Sequence, residues 1–178
     1  MNIFAIDSHP RLSAQQLPDK HICKMSLEMC QMVSIIYSSW YHNWGEVYKA
    51  DGAPYDTAKG AFRNHPCTIW LSESNENLAW GLAHGLALTS EYTHRYGKIH
   101  SCAKTLFNAK KLFHQKVGKP ITIHTMVNSF SRAMPDELKY DKSIDDIIAY
   151  RKYLNTKEWV KNNYVRVPER KPEWISST

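Results

Sequence analysis

The stretch LPDKHICKMSLEMCQM, residues 17–32, determines how the rest of the chain is interpreted. Its apolar residues recur at helical spacing, and its proline-aspartate pair suits a first helical turn, so it predicts a helix that runs to about Trp40. The stretch is rich in methionine, cysteine, isoleucine and leucine, which is typical of a buried element. A polar row nevertheless lies within it, formed by His21, Lys24 and Glu28 and followed by Gln31.

These three residues share one side of the predicted helix. At about 100° per residue, Glu28 falls within about 20° of His21, and Lys24 lies about 60° away. One interpretation is a solvent-exposed face, on which Lys24 and Glu28 form an ordinary i,i+4 ion pair. The other is the wall of a cleft, where a carboxylate beside a histidine and a lysine acts as a general acid or base or stabilises a developing cation.

A second long helix is predicted to end at Gly97, and it carries a similar line. His84, Glu91 and Arg95 are spaced by seven and four residues and are surrounded by leucines and a tryptophan. The repeated pattern favours an arrangement in which both lines face one cleft. An exposed charged face remains the alternative for this helix as well.

The remaining periodic segments also predict helices, so the fold class is all-α. Shorter helices are expected at residues 10–16, 101–117, 143–154 and 156–162, with loops at 41–64 and 120–140. A further helical region opens at Pro66, and Ser72 or Ser74 starts the separate long helix. We expect a compact single-domain helical bundle over residues 1–178, with a short extended N-terminus and an extended C-terminal tail. Within it, residues 1–142 form the core, and residues 143–178 form a C-terminal helix and a basic tail.

Composition and charge favour a nucleic-acid partner. The 178 residues carry a formal net charge of +6, which favours an anionic partner, although solubility alone explains the same charge. No stretch approaches the roughly 20 apolar residues of a membrane span, and the first residues lack the features of a secretory signal. The four cysteines form no CxxC pair and suit isolated buried thiols, so a cytoplasmic location is expected.

Basic residues interleaved with aromatic ones suit contacts with phosphates and stacking on bases. This pattern occurs in the loop at 41–64, where Trp44 and Tyr48 are candidate stacking partners, and in EYTHRYGKIH at 91–100. A surface loop fixed by its aromatic residues and a solvated helix end are the alternatives. The residues predicted to contact nucleic acid are Lys20, Arg63, His65, Trp70, His84, Glu91, Arg95 and Lys98.

Several chemistries find no support in the motifs. The nine histidines form no HExxH motif, and there is no dense aspartate cluster, so no metal site is expected. There is no glycine-rich phosphate-binding loop and no GxSxG turn, which disfavours nucleoside triphosphate hydrolysis and serine hydrolase chemistry. No cofactor is expected.

The spacing of Leu17, Asp19, His21 and Glu28 resembles the first helix of the bacteriophage pyrimidine-dimer DNA glycosylases of the endonuclease V type. HPCTIW, followed by LAHGLALTSEYTHRYGKIH, is similar to a pattern in their bacterial relatives, and the similarity covers about residues 1–100. The resemblance implies a compact helical fold, double-stranded DNA as partner and base flipping during excision. It assigns the catalytic carboxylate to Glu28. The start of the chain also resembles small proteins of tailed bacteriophages, which implies an infected bacterial cell.

Two positions depart from the family pattern. The family's nucleophile is the α-amine of a small residue exposed by removal of the initiator methionine; it forms a Schiff base with deoxyribose, and the glutamate stabilises the cationic intermediate. Here position 2 is Asn2, a poor residue for methionine removal, and Leu27 stands where the family has an arginine. Lys20 or Lys24 is an alternative amine, provided that burial lowers its pKa.

The sequence therefore predicts an enzyme that acts on a base in DNA, a DNA glycosylase/AP-lyase-like protein. Glu28 is the expected carboxylate, while His21 and Lys24 orient it or act as proton donor and amine. One alternative is a phage transferase that modifies a DNA base. Another is a non-catalytic factor that holds DNA or a host protein during host takeover. The oligomeric state stays open.

Overall fold

The computed structural model describes residues 1–121, 127 and 129–175 of the chain. Within these residues the fold is all-α, as predicted, and contains no strand. Its helices are α1 (Pro10–Gln15), α2 (Asp19–Tyr37), α3 (Pro66–Glu73), α4 (Asn75–Tyr96), α5 (Cys102–Val117), α6 (Asp136–Lys139), α7 (Asp146–Asn155) and α8 (Glu158–Lys161), with 3-10 turns at Asp56–Lys59 and Pro168–Arg170.

The long helices α2 and α4 form the centre of the bundle. α2 packs against α3, α4 and α5, and α1 packs along α4. Two glycines allow α4 to approach closely: a Cβ at Gly81 would lie 2.3 Å from Leu71, and one at Gly85 would lie 2.8 Å from Met29. Because the side chains between these helices are buried apolar ones, burial of their surface is the main force that holds α2 and α4 together.

Local signals account for most helix ends. Ser74 caps α4 by accepting a hydrogen bond from the backbone N–H of Asn77, and Gly97 ends the helix in the left-handed region with φ of 65°. α2 ends three residues before the predicted Trp40, because Ser38 is already extended. α7 begins later than predicted, since the side chain of Asp145 caps it.

The N-terminal segment, residues 1–6, has no regular secondary structure and is largely buried. Asn2 turns the chain: its Oδ1 accepts hydrogen bonds from the backbone N–H groups of Ile3 at 2.8 Å and of Phe4 at 3.2 Å. Phe4 then has a positive φ of 51°. The turn directs the first residues against the side of α2.

The C-terminal region lies on the start of α2 and on α1. Tyr164 donates a hydrogen bond to the carbonyl of Gln16 at 2.8 Å, and the backbone N–H of Val165 donates to Asp19 at 2.8 Å. α6 interrupts the predicted loop at 120–140, and the parts of that loop at 122–126 and 128 lie outside the described residues. So do residues 176–178 of the predicted tail.

Two further findings bear on the sequence predictions. All four cysteines are free, but Cys23 is exposed rather than buried, since it faces outward on α2. Among the helices described here, none has both the length and the apolar character needed to cross a bilayer.

Candidate active site

A cavity of about 380 Å³ opens beside the first half of α2. Its walls come from three segments far apart in the sequence: residues 1–4, the part of α2 from Lys20 to Glu28, and residues 153–159 of the C-terminal region. The polar stripe of α2 therefore lines a concave surface, which is what the cleft interpretation requires.

Glu28 forms one wall of this cavity, and its side chain is only 9% exposed. Its Oε2 accepts a hydrogen bond of 2.7 Å from the backbone N–H of Asn2, and the α-amine of Met1 lies 4.0 Å from the same oxygen. Its Oε1 lies 3.1 Å from Nζ of Lys24. Each carboxylate oxygen thus faces a donor, and the N-terminal backbone is held directly against the acid.

The side chain of Asn2 fixes this arrangement. Its Nδ2 donates a hydrogen bond of 2.7 Å to the carbonyl of Ala133, while its Oδ1 accepts from the next two backbone N–H groups. Sγ of Cys67, in the first turn of α3, lies 4.0 Å from Oδ1. Asn2 therefore anchors the start of the chain to α3 and to the segment before α6.

His21 lies one helical turn from Lys24 and is buried. Its ring stacks on Phe4 with 4.2 Å between centroids and meets the edge of Trp159 at 5.3 Å. Burial, and then the charges of Lys157 and Lys24, lower the pKa of His21 to about 3. His21 is therefore neutral at pH 7, and among the described residues its Nδ1 has no hydrogen-bond partner.

Three lysines surround the mouth of the cavity. The side chain of Lys24 is 69% exposed, Nζ of Lys20 lies 5.1 Å from the ring centroid of Trp159, and Nζ of Lys157 lies 4.3 Å from that of Tyr153. Trp159 is itself 37% exposed. Cations placed over aromatic rings at the edge of a cavity suit phosphate contact outside it and base stacking within it.

The second polar line, on α4, does not reach this cavity. The side chain of Arg95 is fully buried, with ion pairs to Glu91 at 2.9 Å and to Asp19 at 3.0 Å. It also donates hydrogen bonds to the carbonyls of Gln15 at 2.7 Å and Leu17 at 2.9 Å. The predicted common cleft is wrong, because α1 and the start of α2 cover this face of α4.

Two more of the predicted DNA contacts are buried. His84 is fully inaccessible: its ring stacks on Trp80 at 4.9 Å, its Nδ1 lies 3.0 Å from the carbonyl of Pro10, and burial lowers its pKa to about 4. Trp70 is 4% exposed and donates its indole N–H to the carbonyl of Ser129. With Glu91 and Arg95, these residues support the core and offer no side chain to a phosphate in this structure.

The other predicted contacts lie at or near the surface. Lys20, Arg63 and Lys98 are exposed, and His65 is half-buried at the start of α3. Two residues after Lys98, His100 contacts α2, with its Nε2 3.1 Å from the carbonyl of Cys23. Of the candidate stacking residues in the loop at 41–64, Tyr48 is exposed. Trp44 is half-buried, where it packs between Tyr37 and His42.

Several cavity residues were missed in the sequence. Asn2 and Phe4 enter through the N-terminal turn, and Tyr153, Lys157 and Trp159 enter through the C-terminal region. The basic character of that region was the only available signal, and no local pattern pairs it with α2. The described part of the chain contains no group of three or more histidine, cysteine, aspartate or glutamate residues arranged to hold a metal ion.

Comparison with known proteins adds one decisive finding. A family model described as pyrimidine dimer DNA glycosylase matches residues 1–104. The chain belongs to this family. The family implies DNA glycosylase activity on pyrimidine dimers, and DNA is therefore the substrate. The match includes α2 with Glu28 and ends before the segment that supplies Lys157 and Trp159. No curated protein and no solved structure matches the chain.

Proposed function

We propose that the chain is a pyrimidine dimer DNA glycosylase that also acts as an AP-lyase, with Glu28 as the catalytic carboxylate and the N-terminal α-amine as the nucleophile. One observation carries this proposal: the backbone nitrogens of Asn2 and Met1 lie 2.7 Å and 4.0 Å from the same oxygen of Glu28. An amine, a carboxylate and a cavity are the parts that Schiff-base chemistry on a sugar needs.

Both possible forms of the N-terminus fit this geometry. With Met1 retained, its amine lies at 4.0 Å from Glu28. With Met1 removed, the nitrogen of Asn2, at 2.7 Å, becomes the amine, and the Met1 side chain leaves the cavity wall. Asn2 therefore disfavours removal of Met1, but the proposed Schiff-base chemistry does not depend on that removal.

The proposed reaction uses the amine as an electron-pair donor. The amine attacks C1′ of the deoxyribose, and the glycosidic bond breaks as its electron pair leaves with the base, which takes up a proton. Opening of the sugar ring, in which O4′ takes up a proton from the amine, gives a protonated Schiff base. A base then removes a proton from C2′, the C3′–O bond breaks as the 3′ phosphate leaves with the electron pair, and water hydrolyses the imine to restore the amine. The negative charge of Glu28 stabilises the cationic intermediate.

His21 and Lys24 support this step in different ways. Neutral His21 does not act as an imidazolium proton donor, and its ring, held between Phe4 and Trp159, suits support of the aromatic wall of the cavity. Lys24 places a positive charge 3.1 Å from Glu28, one turn before Leu27, where the family has an arginine. Lys24 is 69% exposed and lacks the burial that turns a lysine into a nucleophile.

Double-stranded DNA is proposed to contact the three lysines of the cavity mouth, with Arg63 and Lys98 further along the surface. The flipped nucleotide would enter beside Trp159 and His21, because unstacked bases need an aromatic surface. Residues 1–178 are proposed to act as one domain, and the cytoplasm of a bacterial host cell as the place of action.

Borohydride trapping tests the nucleophile. The protein is incubated with a duplex that contains a cyclobutane thymine dimer, reduced with borohydride, digested and mapped by mass spectrometry. We expect a covalent sugar adduct on the N-terminal peptide, and the intact mass of the protein tells whether that peptide begins with Met1 or Asn2. An adduct on the peptide of Lys20 or Lys24 would overturn the amine assignment.

The same reactions separate the alternatives. Cleavage of a glycosidic bond of the dimer, together with cleavage of the DNA strand, supports a glycosylase with lyase activity. A mass change on an intact nucleoside would identify a base-modifying transferase instead. Binding without any change in the DNA would identify a non-catalytic factor. Lys104→Met, an exposed lysine on α5, serves as a control variant that should form the adduct normally.

A further inference from the structure

A strained aromatic residue lies in the turn that precedes α3. Phe62 is 57% exposed and has a positive φ of 62°, a conformation that bulky side chains rarely adopt. Such a residue persists only where its surroundings hold it, and such positions cluster at functional sites. Apart from the glycines, the described residues contain only two other positive φ values, at Phe4 and Asn43.

The turn that carries Phe62 is firmly held. The hydroxyl of Tyr41 donates a hydrogen bond of 2.6 Å to the carbonyl of Arg63, and the guanidinium of Arg63 lies 4.3 Å from the ring centroid of Trp40. Gly60 packs so closely on Trp40 that a Cβ there would lie 2.6 Å from the indole ring. The turn therefore presents the ring of Phe62 outward on a fixed support.

The ring itself is uncovered. Trp40, Phe107 and Tyr140 are also exposed aromatic residues, but each has a cation over its face. Within the described part of the chain, no ring and no cation stacks on Phe62. The molecule thus has a rigidly mounted apolar ring whose face is free for another flat group.

The turn of Phe62 leads into the start of α3, which contacts the N-terminal segment that holds the catalytic carboxylate. The backbone N–H of His65 donates to the carbonyl of Phe62 at 3.0 Å, so a β-turn keeps their Cα atoms within about 7 Å of each other. Two residues later, Cys67 contacts Asn2, which in turn donates to Glu28. Burial, and then the charge of the N-terminal amine, lower the pKa of His65 while Glu28 raises it, which agrees with the placement of His65 near the N-terminal segment.

We propose that Phe62 is a positioning residue that inserts into the DNA duplex beside the flipped nucleotide and fills the gap that flipping leaves in the base stack. Apolar side chains that enter a base step unstack it and kink the duplex. Arg63, the next residue, is exposed and suited to hold an adjacent phosphate, and Lys59 is exposed as well, where it pairs with Asp56 at 3.0 Å. The inference rests on the proposed glycosylase function.

Fluorescence of 2-aminopurine tests the insertion. The base is placed opposite a thymine dimer in a duplex, and the protein carries Glu28→Gln so that the DNA stays intact. We expect a rise in fluorescence on binding, and a loss of at least about fivefold in its amplitude in the double variants with Phe62→Ala or Phe62→Asn. Asparagine tolerates the left-handed backbone, so a loss in both variants isolates the ring from the turn.

Two matched variants complete the experiment. Phe62→Tyr keeps the ring and should keep the signal, and Phe107→Ala removes another exposed ring, 51% exposed on α5, and should also keep it. In proteins with Glu28 intact, Phe62→Ala should lower kcat on dimer DNA by at least about fivefold, while the Kd for undamaged duplex changes by less than about twofold.

An unchanged fluorescence signal in Phe62→Ala and Phe62→Asn would overturn the insertion, as would a duplex that shows no signal with Phe62 present. Product formation by the protein with both residues intact tests the glycosylase function separately. If product forms at an equal rate with and without the ring, the glycosylase function is supported and the insertion of Phe62 is contradicted.

Discussion

The two long helices carry the same chemical pattern and use it differently. On α2, His21 and Glu28 are seven residues apart, and on α4, His84 and Glu91 are seven residues apart. The α2 pair lines a cavity of about 380 Å³ that is open to solvent. The α4 pair is buried: His84 is inaccessible, and Glu91 is 3% exposed at the wall of a separate cavity of about 470 Å³, where Arg95 and Arg170 hold it. A His–Glu line on a helix therefore becomes a site or a structural element according to what covers it.

The two glutamates also differ in the groups that hold them. Glu91 is held by two arginines, Arg95 at 2.9 Å and Arg170 at 3.2 Å, so its charge is matched within the fold. Glu28 is held by a backbone N–H and by an exposed lysine, and a cavity lies beside it. The charge of Glu28 remains available to a cation that forms in the cavity, and that of Glu91 does not.

The largest effect is expected from exchanging the two acids for amides. Glu28→Gln should lower glycosylase turnover by about 10²- to 10⁴-fold, because it removes the charge beside the reacting sugar. Glu91→Gln should lower stability but leave turnover per folded molecule within a few fold. Single-turnover rates, normalised by the folded fraction from circular dichroism, measure both. Equal losses of turnover in Glu28→Gln and Glu91→Gln would contradict the assignment of a catalytic role to Glu28 alone.

A second effect, on stability, is expected from replacing the cations that pair with the two glutamates, Arg95 and Lys24. Arg95→Met should lower the free energy of unfolding by about 3–5 kcal/mol, because it leaves Asp19 and Glu91 buried without their partner. Lys24→Met removes the largely exposed partner of Glu28, which keeps its hydrogen bond from Asn2, and should cost less than about 1 kcal/mol. Urea denaturation at pH 7 provides both values. A small cost for Arg95→Met would show that the α4 line is solvated.

The smallest effect is the dependence of stability on pH. Burial lowers the pKa of His84 to about 4 and that of His21 to about 3, below the ordinary 6.5. Below pH 6.5 the unfolded chain binds protons that the folded chain does not, so stability falls as the pH falls toward 4. Each histidine contributes about 1.4 kcal/mol per pH unit in this window.

Single variants assign this slope. His84→Gln and His21→Gln should each make the loss of stability between pH 6 and pH 4.5 shallower by about that amount, as measured by urea denaturation at several pH values. NMR titration of the folded protein provides the direct check. An imidazole of His21 that titrates near pH 6.5 would mean that water in the cavity solvates it. His21 would then be solvated, whereas His84 would be buried.

The helices themselves were largely predictable. Ser74 and Gly97 mark the ends of α4, and Pro66 marks the start of α3, because caps and prolines act on backbone groups within one turn. The prediction for α2 failed only at its end, where the chain becomes extended at Ser38. Signals of this kind depend on neighbours in the sequence, so one sequence is enough to detect them.

The site was predictable only in part. Glu28, His21 and Lys24 could be proposed from one helix, but the roles of Arg95 and Trp70 could not be judged from it. Their burial depends on α1, on the C-terminal region and on the segment at 129–130, none of which is adjacent to them in the sequence. Trp159 escaped prediction for the same reason.

The sequence alone determined the all-α class, the course of α2 and the placement of an acid, an imidazole and an amine along one of its faces, since these follow from periodicity within a few residues. Only the tertiary structure decided which of two equivalent lines is open and which backbone nitrogen faces Glu28. Those outcomes depend on contacts across 26 residues, between Asn2 and Glu28, and across 76, between Asp19 and Arg95. Contacts at such separations form when the chain packs, and local propensity does not encode them.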